Sequence, residues 1–139
     1  MTESNITIPR GAKYHPLLRL VTWHPSGALE PKLAEEILCF IEAEEATGGE
    51  PFDRFANLDE LSAVHLSFAD IEEIAARRIG RYQSTPVKSA ILAVNPLAFG
   101  MARMYERLML RSNIEVRAFC RLTSAAVWLD KPIEALAAA

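Results

Sequence analysis

Apolar positions along this chain change period repeatedly, passing from short unbroken runs to the three-and-four spacing of helices. Leu17 to Trp23, LLRLVTW, is a short apolar run closed by HPSG, which predicts a buried strand followed by a turn. From Leu29 to Ala46 the residues Leu33, Ile37, Phe40 and Ile41 recur at helical spacing. They predict an amphipathic helix with Glu35, Glu36, Glu42 and Glu45 turned outward. Thr47, Gly48 and Gly49 mark its end, where glycine supplies the positive backbone angle of a C-cap. Phe52 to Leu58 alternates, with Phe52, Arg54, Ala56 and Leu58 on one side and Asp53, Phe55 and Asn57 on the other. That is a strand in which neither face is cleanly apolar. Asp59 to Leu66 reads as a connection.

Ser67 is placed to cap a second helix, with Asp70 in the first turn and Phe68, Ile71, Ile74, Ala75 and Ile79 as the inward stripe. Gly80 and Pro86 bracket the next loop. Val87 to Val94, VKSAILAV, is apolar almost throughout, which predicts a central strand covered on both faces, as in parallel sheets. The next stretch, Asn95 to Met109 (NPLAFGMARMYERLM), gathers Asn, Arg and Tyr as a reactive loop would. Asn95 is a preferred N-cap and Pro96 suits the first helical position, so a helix start is the better account. Leu97, Met101, Met104, Tyr105, Leu108 and Met109 form its stripe, and Arg103, Arg107 and Arg111 stand on another face. Gly100 costs a helix about 1 kcal/mol relative to alanine, which a close backbone or ligand would explain. Asn113 closes this helix, Ile114 to Cys120 is a further strand, and Thr123 to Leu129 a short helix with Trp128 inward.

Strand and helix alternate four times, which requires crossover connections and predicts an α/β domain with a mostly parallel sheet and right-handed turns. The domain spans residues 17–130. Residues 1–16 precede it, with a β-prone piece, Asn5 to Ile8, as an edge strand or tail; residues 131–139 follow as a frayed or loosely docked end. With 139 residues, half of them hydrophobic, the chain can bury one substantial core. No cationic leader precedes an apolar segment, and no apolar run approaches the ~18 residues of a membrane span, so a cytoplasmic protein is expected.

Cys39 and Cys120 lack CxxC spacing and read as two buried free thiols, while His15, His24 and His65 are isolated surface or loop residues. Neither a G-x-S-x-G elbow nor a phosphate-cradling glycine loop is present, so no catalytic residue, metal or cofactor is expected. The net charge of -3 is unevenly spread: residues 1–76 hold five Lys/Arg and fourteen Asp/Glu, residues 77–139 ten and four. Such a split can draw an oppositely charged partner, help two copies associate, or arise by chance. Nucleic acid is not favoured, because no aromatic-rich basic motif joins the cations.

NPLAFGMARMYERL after an apolar strand, followed by IEVRAFCRLTSAAVWL, in which a strand leads into an AxxWL helix, resembles the SpoIIAA-like branch of the STAS superfamily. The resemblance runs over Leu17 to Leu129 and is most specific over Val87 to Leu129. It implies a right-handed (βα)4 superhelix without catalytic machinery, frequent self-association, and a protein partner; likeness to SEC14-type lipid carriers implies an apolar cleft. In STAS anti-sigma antagonists a phosphorylated serine opens a helix in a D-S-x-G pattern. The matching stretch here is AVHLSFADI, where Leu66 precedes Ser67 and no glycine follows. Asp70 and Glu72 oppose a phosphate at that helix start, so Ser67 is a possible phosphosite but reads first as a plain cap. The expected function is therefore a non-enzymatic protein-interaction or regulatory domain, able to form a homodimer. The alternative is a carrier of a lipid or other apolar small molecule in a cleft beside the Met101/Met104/Tyr105 helix. The candidate binding residues are Asn95, Pro96, Gly100, Met101, Arg103, Met104 and Tyr105, with the N–H groups at Asn95 to Leu97 as anchors for an anion.

Overall fold

Residues 8–137 are described by the computed structural model. The piece Asn5 to Ile8 lies outside them, apart from the exposed Ile8. A five-stranded sheet runs through the molecule in the order β1 (Ala12–His15), β2 (Leu20–Trp23), β4 (Asp53–Asn57), β6 (Val87–Leu92), β7 (Ile114–Phe119). Only β1 is antiparallel; β2, β4, β6 and β7 are parallel neighbours. Each of these four feeds a helix: α1 (Pro31–Ala46), α2 (Phe68–Arg81), α3 (Pro96–Leu108) and α4 (Leu122–Leu129). The expected fourfold alternation is therefore present, and Val87–Leu92 of the run VKSAILAV is an interior strand with parallel partners on both sides, ending two residues short of Val94.

The sheet has two different faces. Val21, Trp23 and the α1 residues Ala34, Ile37 and Phe40 form one core with Ala98 of α3, and Ala75 of α2 packs with Val87, Ile114 and Val116 in a second. The opposite face carries Leu20, Phe55, Ala90 and Leu92 against α4 and α5 (Ile133–Ala137). Three helices thus cover one side and two short ones the other.

Boundaries set by local chemistry stand where the residues predict them. Ser67 Oγ accepts from Asp70 N at 3.1 Å while Ser67 N donates to Asp70 Oδ2 at 2.8 Å, a reciprocal capping box. Gly48 adopts φ +79° just past α1, as a helix stop requires. Gly11 is needed for a different reason: a Cβ there would lie 2.3 Å from the carbonyl oxygen of His24.

Other expectations are corrected. Pro16–Leu18 form a single 3-10 turn that leaves Leu17 exposed, so the second strand starts only at Leu20. HPSG leads into a third strand, β3 (Gly27–Leu29), and the supposed connection after Leu58 holds its parallel partner β5 (Leu61–Val64). Both are three or four residues long, too short to show a period, and their pairing is non-local. Leu29 belongs to β3, and α1 begins after it with Pro31 at the first helical position. In α2, Phe68 and Ile79 are exposed, whereas Ile71, Ala75 and Arg78 are buried. Helix α3 stops at Leu108 instead of Asn113, where Ser112 Oγ donates to Met109 O and closes the turn. Trp128 is half-buried, its ring 5.5 Å from Phe119 and within 5.2 Å of the Lys88 ammonium.

The tail is docked as well. Leu136 is fully buried, and its carbonyl accepts from Nε2 of His24 at 2.8 Å. A carbonyl only accepts, so that nitrogen carries the proton, and His24 is a buried residue, not a surface one. Cys39 and Cys120 are exposed, not buried. Cys39 lies one turn from Glu35 on α1 and donates Sγ–H to its carboxylate at 3.1 Å.

The glutamates of α1 differ most from expectation. Glu42 and Glu45 point toward α2 and the sheet, not into solvent. Glu42 takes Arg77 bidentately at 2.8 and 2.9 Å, and also Arg78 at 3.1 Å and Arg81 at 2.7 Å. Glu45 accepts from Arg54 at 2.6 Å and from Arg78. The uneven charge of the two halves is thus partly cancelled inside the fold. Burial raises the Glu42 carboxyl, but hydrogen bonds from Arg77 and Arg81 outweigh it and hold the group below its ordinary 4.5. Glu35 is held low in the same sense, first by its hydrogen bond from Arg77. Carboxyls depressed in the fold contribute stability above their unfolded pKa and lose it as pH falls through the folded one. Urea midpoints are therefore expected to fall below about pH 4.5, and Glu42→Gln should flatten that decline.

Candidate functional site

Helix α3 carries the expected binding residues, and the fold sends them in three directions. At its start, Asn95 Oδ1 accepts from Leu97 N at 2.8 Å and Ala98 N at 3.3 Å, with Pro96 in the first turn. Of the N–H groups offered as anion anchors, that of Leu97 is thus taken by the cap itself, and Pro96 has none to offer. This corner is fastened to the sheet end by Asp59 Oδ1, which accepts from Val94 N at 2.8 Å.

The second direction is outward. Gly100, Arg103, Met104, Arg107 and Leu108 line a shallow groove with Phe68, the first residue of α2. Phe68 is 54 % exposed and Leu97, one turn before Gly100, 68 %. The expected apolar stripe is therefore split: Ala98 and Ala102 are the fully buried positions of α3, and Leu97 faces solvent. An added Cβ at Gly100 meets nothing within 4 Å, so no tight neighbour accounts for this glycine. Gly100→Ala is expected to stabilise the fold by about 1 kcal/mol in urea unfolding. Arg103 lies 3.5 Å from Glu106, whose half-buried carboxylate also accepts from Ala118 N at 3.1 Å.

Inward, Met101 packs at the edge of the core beneath α1, and Tyr105 reaches a cavity between the sheet and the helices. Strand register places the floor in two rows, Val21, Arg54, Ser89 and Trp23, Ala56, Ile91. Ile37, Leu38 and Ile41 of α1, Ile74 of α2 and Tyr105 of α3 form the walls. Burial pushes the Tyr105 phenol up to about 12. Burial also draws the Arg54 guanidinium below its ordinary value, against the pull of Glu45. The expected cleft beside Met101, Met104 and Tyr105 is thus reached by Tyr105; Met104 lies on the outer groove.

Trp23, Arg54, Ser89 and Phe68 are absent from the residues expected from sequence. Arg54 and Ser89 did leave a trace, as polar interruptions on otherwise apolar strand faces. Phe68 left none, because its place at helical spacing looks like core. Among the described residues no three His, Cys, Asp or Glu side chains are grouped as a metal site, and no helix is long and apolar enough to cross a membrane.

No family model and no curated protein matches the sequence. Among solved structures the chain is similar to an uncharacterised protein of the DUF3478 family with a SpoIIAA-like fold from Shewanella loihica PV-4. The two share 16% identity and superpose with a TM-score of 0.51 over 79% of this chain and 83% of the other. At that identity the likeness shows the fold alone, and the fold is SpoIIAA-like.

Proposed function

From this SpoIIAA-like body we propose a non-enzymatic protein-interaction domain that seats its partner on the outer groove between α2 and α3. The observation that carries it is the pair of exposed apolar side chains Phe68 and Leu97, with half-buried Met104 between them, across the open backbone of Gly100. Large apolar side chains grouped on a surface cost solubility and mark contact sites when ringed by polar residues. Here the ring is basic: Arg103 and Arg107 are exposed on α3, and Arg111 is exposed just past its end. A partner with apolar anchors set among carboxylates fits that surface, because complementary charge speeds encounter and rejects basic competitors. Gly100 lets an anchor approach the helix backbone. Ser67 precedes Phe68 directly, so a phosphate there would place negative charge at the edge of the groove and break the capping box.

Affinity capture from the native cell extract tests this with wild type beside Phe68→Glu and Arg107→Glu. A polypeptide recovered by wild type and lost with both variants, with exchange protection over 97–108, supports the groove. Identical recovery by all three removes it. Sedimentation in parallel identifies a second copy as the occupant if wild type dimerises and Phe68→Glu does not.

A further inference from the structure

Ala56, Ser89 and Ile91 keep accessible surface although they lie on interior strands beneath three helices. The space that exposes them is about 150 Å3. A void of that size takes a molecule the size of benzene, whereas larger organic ligands fill roughly 300–1,000 Å3. Carriage of a long acyl chain is therefore a poor fit, and a single ring or short branched chain a good one.

The lining is not purely aliphatic. Trp23 is buried, and its Nε1–H has no hydrogen-bond partner. Buried donors in native folds are nearly always paired; this one has almost no accessible surface, so it lies behind the cavity wall and the donors open to the space come from other side chains. Arg54, also buried, donates Nε to Phe52 O and Nη2 to Glu45, leaving Nη1 over. Ser89 and Tyr105 add hydroxyls to the same space, and no carboxylate lines it. The adjoining ion cluster sets the guanidiniums of Arg54, Arg77, Arg78 and Arg81 against the carboxylates of Glu35, Glu42 and Glu45, an excess of one positive charge.

We propose that this cavity binds a small carboxylate with an apolar body about one six-membered ring in size, its oxygens taken by donors among Arg54, Ser89 and Tyr105, beside the Trp23 indole. The ring or branched chain packs against Ile37, Ile41 and Ile74. Tyr105 is a hydrogen-bond donor at physiological pH, as any tyrosine phenol is, and burial pushes it further up, to about 12. This site is independent of the outer groove, and either stands without the other.

Benzoate and 3-methylbutanoate serve as probes, with benzene as the apolar control. In Trp128→Phe the one remaining indole is Trp23, since the chain has two tryptophans. Either acid is expected to shift the Trp23 indole N–H resonance saturably. Tyr105→Phe and Ser89→Ala should each weaken binding roughly tenfold, as loss of a hydrogen bond does. Ala56→Leu, which fills the floor, should abolish binding; if it does not fold, the two hydroxyl variants carry the test. Three outcomes overturn the proposal: no shift with either acid, a shift with benzene but neither acid, or acid binding unchanged in every variant.

Discussion

Glu45→Ala is expected to destabilise the protein by about 3–5 kcal/mol, the usual cost of removing one partner from a buried ion pair. Its carboxylate joins Arg54 on β4 to Arg78 at the end of α2, and those side chains are only 7 % and 2 % exposed. Without it two guanidiniums remain in the core with Glu42 as the nearest relief, and Glu42 already serves Arg77 and Arg81. The pair itself need not be stabilising: a set of Glu45→Met, Arg54→Met and Arg78→Met together should recover most of the loss, because desolvation of the ions disappears with them. Phe52 and Tyr82, whose rings lie 4.6 and 5.1 Å from the Arg54 guanidinium, would then pack against the new side chain. Urea unfolding at neutral pH measures both. A loss below about 1 kcal/mol in Glu45→Ala would mean the cluster is solvated and behaves as a surface array.

Leu136→Ala is expected to cost about 2–5 kcal/mol, the range for emptying a fully buried leucine site. Leu136 is 0 % exposed and packs with Leu20, Phe55, Ala90 and Leu129 on the face that only α4 and α5 cover. Helix α5 has five residues, too few to persist unaided, so its order depends chiefly on Leu136, with Ile133 and Ala135 partly packed beside it, and on the His24 hydrogen bond. Loss of the anchor should therefore free α5 and expose His24 together, visible as faster amide exchange over 133–137. An unchanged midpoint would show that the tail contributes nothing to the core.

Elements whose ends are closed by neighbours along the chain are legible in the residues themselves. Asn95 with Pro96, Ser67 with Asp70, and Gly48 after Thr47 each complete their bonding within about four residues, so residue type is enough to place them. The same holds for the largely apolar run of β6, broken only by Lys88 and Ser89, which fits a strand covered on both faces. Side-chain direction is less legible. Periodicity sorts residues into polar and apolar, and it sends Glu42 and Glu45 outward because they are charged. It cannot show that Arg77 and Arg78, more than thirty positions on, come to meet them. Phe68 and Leu97 fail in the opposite sense, apolar by type and spacing yet placed where no element packs over them.

For this protein, sequence alone determined the four βα units, the parallel sheet, and the caps that make NPLAF a helix start, because those features rest on backbone geometry and short-range hydrogen bonds. Tertiary structure decided which charges lie inside, which apolar residues stay outside, and that a space remains beneath α1, α2 and α3. These depend on how closely helices of given side-chain volume approach the sheet, a quantity that exists only once distant segments are brought together.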